Sequence, residues 1–300
     1  MAAVYTGDQL APAAAHMRRL ANGAEAYLLV RPTWHGPEVL ESVALVMRDT
    51  ARWAPNIRFI LAMATAEDDA LCRGLRFDSI WCSHNAWLDE RIYAPDLDAE
   101  RLYDAVYVAR LTPFKRHALA AKVPRLAILT GAFEVDRDYA VGQLAALSGL
   151  QFVNFSADRG VVQLPPDQVR AVLSQSGCGL ALSSSEGAMY ASGEYLLCGL
   201  PVVTTPSKGG RDVFFHPDYV ETVEPDADAV AAGVARVLAQ RLDPLEIRRR
   251  TLELIMPHRA RLIGRLSQIA GRDLFATASD TLWLPGFSNK LEHWVETPDP

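Results

Sequence analysis

The sequence has little cysteine and no pattern in it. Its four thiols, Cys72, Cys82, Cys178 and Cys198, form no C-x-x-C pair and no dense set. That excludes a disulfide framework and reads as buried thiols of a reducing compartment. Basic residues are not in excess: 30 Lys and Arg face 36 Asp and Glu, a formal net charge of −6. This balance argues against nucleic acid as a partner, because phosphates demand a net basic face. No stretch approaches the roughly 18 consecutive apolar residues of a membrane-spanning helix. Met1 to Leu20 lacks the basic-then-apolar order of a secretory leader, and a cytoplasmic location is the expectation. Also missing are a G-x-G-x-x-G loop, a Walker sequence and a G-x-S-x-G elbow, so hydride transfer, kinase-type chemistry and serine hydrolysis all lose ground. Histidines 35, 84, 117, 216 and 258 show no metal-ligand spacing, and Asp136-Arg137-Asp138 has a D-x-D spacing that recurs by chance; no metal is expected.

What the chain does have is apolar mass. Half of its 300 residues are apolar and 22% are charged, the balance of a globular protein. At roughly 150 residues per domain, two cores are expected. Short apolar runs at 26–30, 57–63 and 77–82 read as strands, with helical spacing at 39–53 and 66–75 between them. Tyr93-Ala94-Pro95-Asp96-Leu97-Asp98 is polar and turn-rich, and reads as the linker between a domain at 1–97 and another at 98–300. Alternation then resumes: strands at 105–108, 126–129, 151–154, 179–182, 201–204 and 219–223, and helices at 115–122, 138–147, 166–175, 188–198, 227–240 and 243–261. Strands alternating with helices of ten to fifteen residues predict βαβ units on parallel sheets, an α/β protein of two Rossmann-like domains. The aromatic tail from Asp273, with Trp283, Phe287 and Trp294, is expected to dock back on the body.

Open parallel sheets bind ligands at the carboxyl ends of strands, near helix N-termini. Four junctions there carry chemistry. After 179–182, the stretch from Ser183 to Glu194 has a serine-glycine turn running into a helix, with Glu186 and Glu194 bracketing it. Free N–H groups at such a helix start can cradle an anion; serine capping with Glu186 at the positive helix end fits the same residues. After 105–108, Arg110 and Lys115 flank Pro113, two cations suited to a diphosphate. After 77–82 come His84 and Asn85, and after 26–30 comes His35, candidates for an acceptor pocket that are equally compatible with structural roles.

The stretch Ser185-Glu186-Gly187 followed by Glu194-Tyr195-Leu196-Leu197-Cys198-Gly199-Leu200-Pro201-Val202-Val203-Thr204-Thr205 resembles the donor-site signature of the retaining GT-B glycosyltransferases, especially the large family 4 (group 1). Ser207-Lys208-Gly209-Gly210 is similar to the glycine turn that follows there, and Arg110 and Lys115 match the family's cation spacing. The resemblance covers about Tyr103 to Leu238. It implies two Rossmann-like domains facing across a cleft and a nucleotide-diphosphate sugar as donor substrate, with no metal. It implies Arg110 and Lys115 on the diphosphate and Glu186 on the donor sugar, and for Glu194 a hold on the ribose hydroxyls. The N–H groups of Ala188, Met189 and Tyr190, after Gly187, would face sugar and phosphates. An acceptor glycan or small molecule would meet the first domain at His84, Asn85 and His35, as in polysaccharide biosynthesis. Ala188-Met189-Tyr190 departs from the family's small residues, and the glycine-rich loop near the first strand is missing. A catalytically degenerate relative acting as a binding module, or a nucleotide-sugar epimerase, are the alternatives; oligomeric state is open. Arg248-Arg249-Arg250 and Arg259 to Arg265 leave peripheral membrane contact open, beside the solvated helix faces such runs usually form.

Overall fold

A computed structural model describes residues 2–4, 7–131, 137–147, 151–156 and 158–274. Contacts divide the chain into two compact units, one made of Met1–Trp87 and Pro257–Pro300, the other of Leu88–Met256. Most of the aromatic tail and Asp136 of the D-x-D lie outside the described residues.

The first unit alternates strictly: β1 (Ala2–Val4), α1 (Gly7–Ala21), β2 (Ala26–Val30), α2 (Pro37–Trp53), β3 (Ile57–Met63), α3 (Ala66–Gly74) and β4 (Ser79–Trp81). Its sheet is parallel throughout, in the order β1-β2-β3-β4. Strand side chains alternate between faces, and the core follows that period of two. Leu28, Val30, Leu61 and Met63 pack with Leu10, Val43 and Met47 of the first two helices. On the other face Leu29, Ile60, Ala62 and Cys82 pack with Leu262. Thr65 caps α3 by accepting from the Asp68 N–H at 3.1 Å, and the acids of its first turn meet the positive helix end. The strand and helix at 2–21 are additions to the sequence reading.

In the second unit come β5 (Ala105–Val108), β6 (Leu126–Leu129), α4 (Arg137–Ala146), β7 (Gln151–Phe152), β8 (Phe155–Ser156), β9 (Gly160–Val161), α5 (Pro166–Ser174) and β10 (Gly179–Ala181). They are followed by β11 (Ser185–Glu186), α6 (Tyr190–Leu197), β12 (Val202–Thr204), β13 (Lys208–Gly209), β14 (Val220–Thr222), α7 (Ala227–Gln240) and α8 (Pro244–Ala270). The main sheet is parallel, in the order β14-β12-β10-β5-β6-β7. Numbered by their rank in the chain, its strands run 6-5-4-1-2-3, the doubly wound order, and the winding reverses between β5 and β10. All four residues of β6 are buried, as expected of a strand covered on both faces.

Three local expectations are corrected. The helix predicted over 115–122 is two 3-10 turns, Pro113–Lys115 and His117–Ala120, because Arg116 between them is left-handed at φ 52° and ψ 47°. The strand predicted over 151–154 stops at Phe152, where Asn154 turns its side chain to the ladder instead. Its amide accepts from Thr130 N (2.9 Å) and donates to Thr130 O (2.7 Å), and the chain enters a β8–β9 hairpin. The last helix continues past Arg261 to Ala270, through Pro257.

Candidate active site

The place where the winding reverses is the crevice a parallel sheet offers to a ligand. One wall is the turn after β5. Pro113 presets the backbone angle of the first 3-10 turn, and Lys115 N–H closes it on Thr112 O at 3.1 Å. The Tyr107 hydroxyl then donates to Lys115 O at 2.5 Å, fixing the lysine backbone to the strand it has just left. The other wall is the segment after β10, zipped in parallel to the glycine turn: Ser185 pairs with Lys208 and Glu186 with Gly209, and Gly210 N–H donates to Gly187 O at 3.1 Å.

Between these walls the Lys115 ammonium donates to a Glu186 carboxylate oxygen, and both side chains are buried, at 7% and 5% exposure. The two residues lie 71 positions apart in sequence. Burial pushes the Lys115 pKa down, Glu186 pulls it back up, and Arg110 and Arg211 push it down again. Arg110 joins them at Phe114: its guanidinium carbon lies 5.7 Å from the ring centroid, and the Lys115 ammonium lies 5.1 Å from the same ring. Arg110, Lys115 and Glu186 thus meet at one spot, with cations outnumbering the carboxylate.

Glu186 leads through Gly187, Ala188 and Met189 into α6. No side chain caps this helix at Met189, so the serine-cap alternative does not hold. Ser192 bends back instead, its hydroxyl donating to Met189 O (2.8 Å) and Arg211 O (3.0 Å). Tyr190 opens the helix, where the first N–H groups lack intrahelical acceptors. Tyr195 holds the helix to the sheet: its hydroxyl accepts from Val108 N–H at 2.7 Å, and its ring lies against Gly179. Half-buried Glu194, one residue earlier, accepts a hydrogen bond from the Tyr93 hydroxyl.

Sequence reasoning missed two arginines beneath this site. Arg211 is 1% exposed; its Nη1 donates to Ala181 O (2.9 Å) and Ser183 O (2.6 Å), and its Nη2 to Thr204 Oγ1 (2.7 Å) and Thr205 O (2.6 Å). Its Nε donates to Asp212 at 2.5 Å. Arg116 reaches the same strand ends, with Nε to Leu182 O (2.6 Å) and Nη2 to Thr205 Oγ1 (2.7 Å). These charge-assisted bonds offset the strain of its left-handed backbone. Both arginines sit beside motif residues, Arg116 after Lys115 and Arg211 after Gly210, which is the one signal the sequence held.

The three acceptor-side candidates belong to the first unit. His84 is 3% exposed and donates from Nε2 to Ala62 O at 3.1 Å, and burial pushes its pKa down to about 3, so it stays neutral. Its ring lies edge-on to Trp87, over which Arg31 stacks at 4.8 Å. Asn85 is 1% exposed in the same 3-10 turn. His35, in the loop after β2, stacks on Trp34 at 5.8 Å. Among the arginines of α8, Arg249 pairs with Glu246 and Glu253, Arg250 with Glu246 and Asp218, and Arg265 with Asp78. Among the described residues no group of three or more His, Cys, Asp or Glu could hold a metal ion, and no helix is long and apolar enough to cross a membrane.

No protein-family model matches the chain, and no curated protein matches it in sequence. Its fold recurs in solved structures. The sucrose-phosphate synthase of Thermosynechococcus elongatus is similar with a TM-score of 0.59 and 16% identity, over 90% of this chain and 73% of that one. An alpha,alpha-trehalose-phosphate synthase (UDP-forming) of Burkholderia xenovorans, solved with glucose-6-phosphate, gives 0.54 and 14%, over 86% and 69%. AviGT4, a glycosyltransferase involved in avilamycin A biosynthesis, gives 0.53 and 17%, over 88% and 90%. The chain has the α/β fold of these GT-B glycosyltransferases.

Proposed function

We propose that the protein is a retaining glycosyltransferase, similar to family 4, that moves a sugar from a nucleotide-diphosphate donor to an acceptor hydroxyl. The observation that carries this reading is the meeting of Lys115 with Glu186 where the second sheet reverses its winding. Arg110 and Lys115 bind the diphosphate and neutralise the charge that grows on it as the glycosidic bond breaks, the electrostatic contribution that dominates such transfers. Glu186 contacts the donor sugar. The N–H groups of Ala188, Met189 and Tyr190 face sugar and phosphates beyond Gly187, and Glu194 takes the ribose. A carboxylate tied to an ammonium is a poor nucleophile, so Glu186 orients the sugar and the acceptor attacks from the side the diphosphate leaves, which retains the configuration. The acceptor, a glycan or small molecule, binds on the side of His84, Asn85 and His35, and the neutral His84 places no charge there. Catalysis needs no metal in this scheme, because the arginine and lysine supply the positive charge. The site is cytoplasmic.

A thermal-shift screen of UDP-, GDP-, ADP-, CMP- and dTDP-sugars tests this. A donor at a hundred times its Kd stabilises the native state by about 2.7 kcal/mol. One nucleotide class should shift the wild-type protein, and Lys115→Ala should lower turnover more than donor affinity, because the charge it meets develops in the transition state. No shift with any donor overturns the reading.

A further inference from the structure

β4 ends the first sheet, with β3 as its only neighbour, and together with α3 and α8 it lines a groove of about 400 Å³. Asp69 and Arg73 come from α3, Ser79 and Trp81 from β4, and Arg261, Gly264, Arg265 and Gln268 from α8. All of them belong to the first unit. Several of these groups serve one another. Asp69 accepts from Arg73 Nη2 (2.5 Å) and from Ser79 Oγ (2.7 Å). Arg265 gives Nη2 to Asp78 and Nη1 to Gln268 Oε1 at 3.2 Å.

Four features are left over. The Arg261 guanidinium lies over the Trp81 ring at 4.6 Å and donates from Nη1 to Trp81 O at 3.3 Å, and among the described residues no carboxylate pairs with it. Trp81 Nε1 and Arg265 Nε are buried N–H groups with no acceptor among the described residues. Arg261 and Arg265 stand four apart on one helix, a spacing at which like charges repel. Gly264, the one glycine of α8, takes a helix-interior position where glycine is disfavoured, yet an added Cβ would meet nothing within 4 Å. Each feature costs stability by itself, and a buried N–H left unpaired costs more than a made bond returns. Where several local rules fail together and no packing explains them, a site is the expected reason. An oxyanion in the groove answers all four: it takes the orphan N–H groups, stands between the two arginine charges, and fills the space that Gly264 leaves open.

We infer that this groove is a binding site for a small soluble phosphate monoester, a site in the first unit separate from the crevice of the second. Three N–H-bearing groups on Trp81, Arg261 and Arg265 suit the three terminal oxygens of a phosphate monoester, whereas a carboxylate has two. A guanidinium lying on an indole face keeps its in-plane N–H groups for such oxygens, and the stack orients it before binding. Three arginines minus Asp69 and Asp78 leave a charge of +1 for the anion to meet. The volume leaves room for the carbon skeleton that carries the phosphate.

The test uses the full chain and the Trp81 indole N–H resonance, assigned by its loss in Trp81→Phe, as a reporter inside the groove. Glycerol 3-phosphate is titrated at constant ionic strength, with sodium chloride as the control. The wild-type signal should move saturably with glycerol 3-phosphate and stay still with chloride. Arg261→Gln should raise the midpoint of that titration at least tenfold. Gly264→Leu, which puts a side chain into the groove, should do the same while the thermal midpoint holds or rises; if it fails to fold, Arg261→Gln decides alone. A Trp81 signal that never saturates, or an Arg261→Gln midpoint within threefold of wild type, overturns the inference. So does binding to vesicles containing phosphatidic acid without any response to the soluble monoester, which would assign these arginines to a lipid surface. The donor-site reading stands or falls separately, because its residues lie in the second unit.

Discussion

Arg211 permits the sharpest stability experiment. Its guanidinium is buried and serves four neutral acceptors on two strand ends, plus Asp212. At about 1.5–3 kcal/mol for each bond from a charged donor, the four neutral ones sum to roughly 6–12 kcal/mol. Two effects cut this down. Arg211→Met also relieves the desolvation of a buried cation. In addition, Ala181 O keeps the Thr205 N–H at 3.3 Å, and the single proton of the Thr204 hydroxyl can serve either Ala181 O (3.0 Å) or Thr205 O (3.3 Å). The Ser183 carbonyl loses the donor 2.6 Å away. The expected net loss is that of breaking a buried charged network, about 3–5 kcal/mol. With a urea slope of about 2 kcal/mol/M, the midpoint should fall by roughly 2 M. All six tryptophans lie outside residues 88–256, so far-UV circular dichroism is the probe of choice rather than fluorescence. Arg211→Lys should lose nearly as much, because one ammonium cannot span two strand ends as a planar fork does. A loss below about 1 kcal/mol, or full recovery with lysine, refutes the account.

Acid should destabilise the protein well before its carboxylates titrate. Burial pushes His84 down to about 3 and His117 and His258 to about 4, so each stays neutral when folded while the unfolded chain takes up protons near 6.5. Their contribution is complete above pH 6.5 and is lost as pH falls toward 4, at up to about 1.4 kcal/mol per pH unit for each histidine. At His258 the Arg261 charge adds to burial, and the neutral ring is the form whose Nδ1 can accept the Ser83 N–H at 3.1 Å. A urea midpoint that is flat from pH 7 to pH 5 contradicts this. Gly179→Ala should cost about 1–3 kcal/mol by overpacking, because the new Cβ would lie 2.2 Å from the Tyr195 ring. It should also increase exchange of the Val108 amide, now bonded to the Tyr195 hydroxyl; unchanged exchange counts against that link.

The sequence made the parallel sheets legible because their strands are short apolar runs that need no partner to be seen. Lys115 and Glu186 were legible for a related reason: each follows directly from a visible strand, and a doubly wound sheet leaves only one place where its first and fourth strands adjoin. What stayed hidden depends on single side chains acting at long range. Arg116 breaks a helical stretch by taking a left-handed conformation, with its side chain bonded to Leu182 and Thr205 on a distant strand end. Asn154 ends a strand by substituting an amide for backbone. The 93–98 segment has the composition of a flexible connector, and nothing local reveals that Arg248 and Arg170 hold it. The helix at 7–21 carries Pro12, a residue that argues against helix until Leu10, Ala13 and Ala14 are seen in the core.

The division of the first unit between the two ends of the chain bears on its biosynthesis. Leu262, Leu266 and Ile269 of α8 cover Leu29, Ile60, Ala62 and Cys82, a face that α1 to α3 do not reach. On the ribosome that face emerges early and its cover late, separated by the whole of residues 88–256. At about 5–20 residues per second the nascent sheet waits on the order of 10–30 s half-covered. The second unit, contiguous in the chain, can mature during that interval, so the order of completion reverses the order of synthesis. The apolar face of β2 to β4 is then the surface a nascent-chain chaperone would meet.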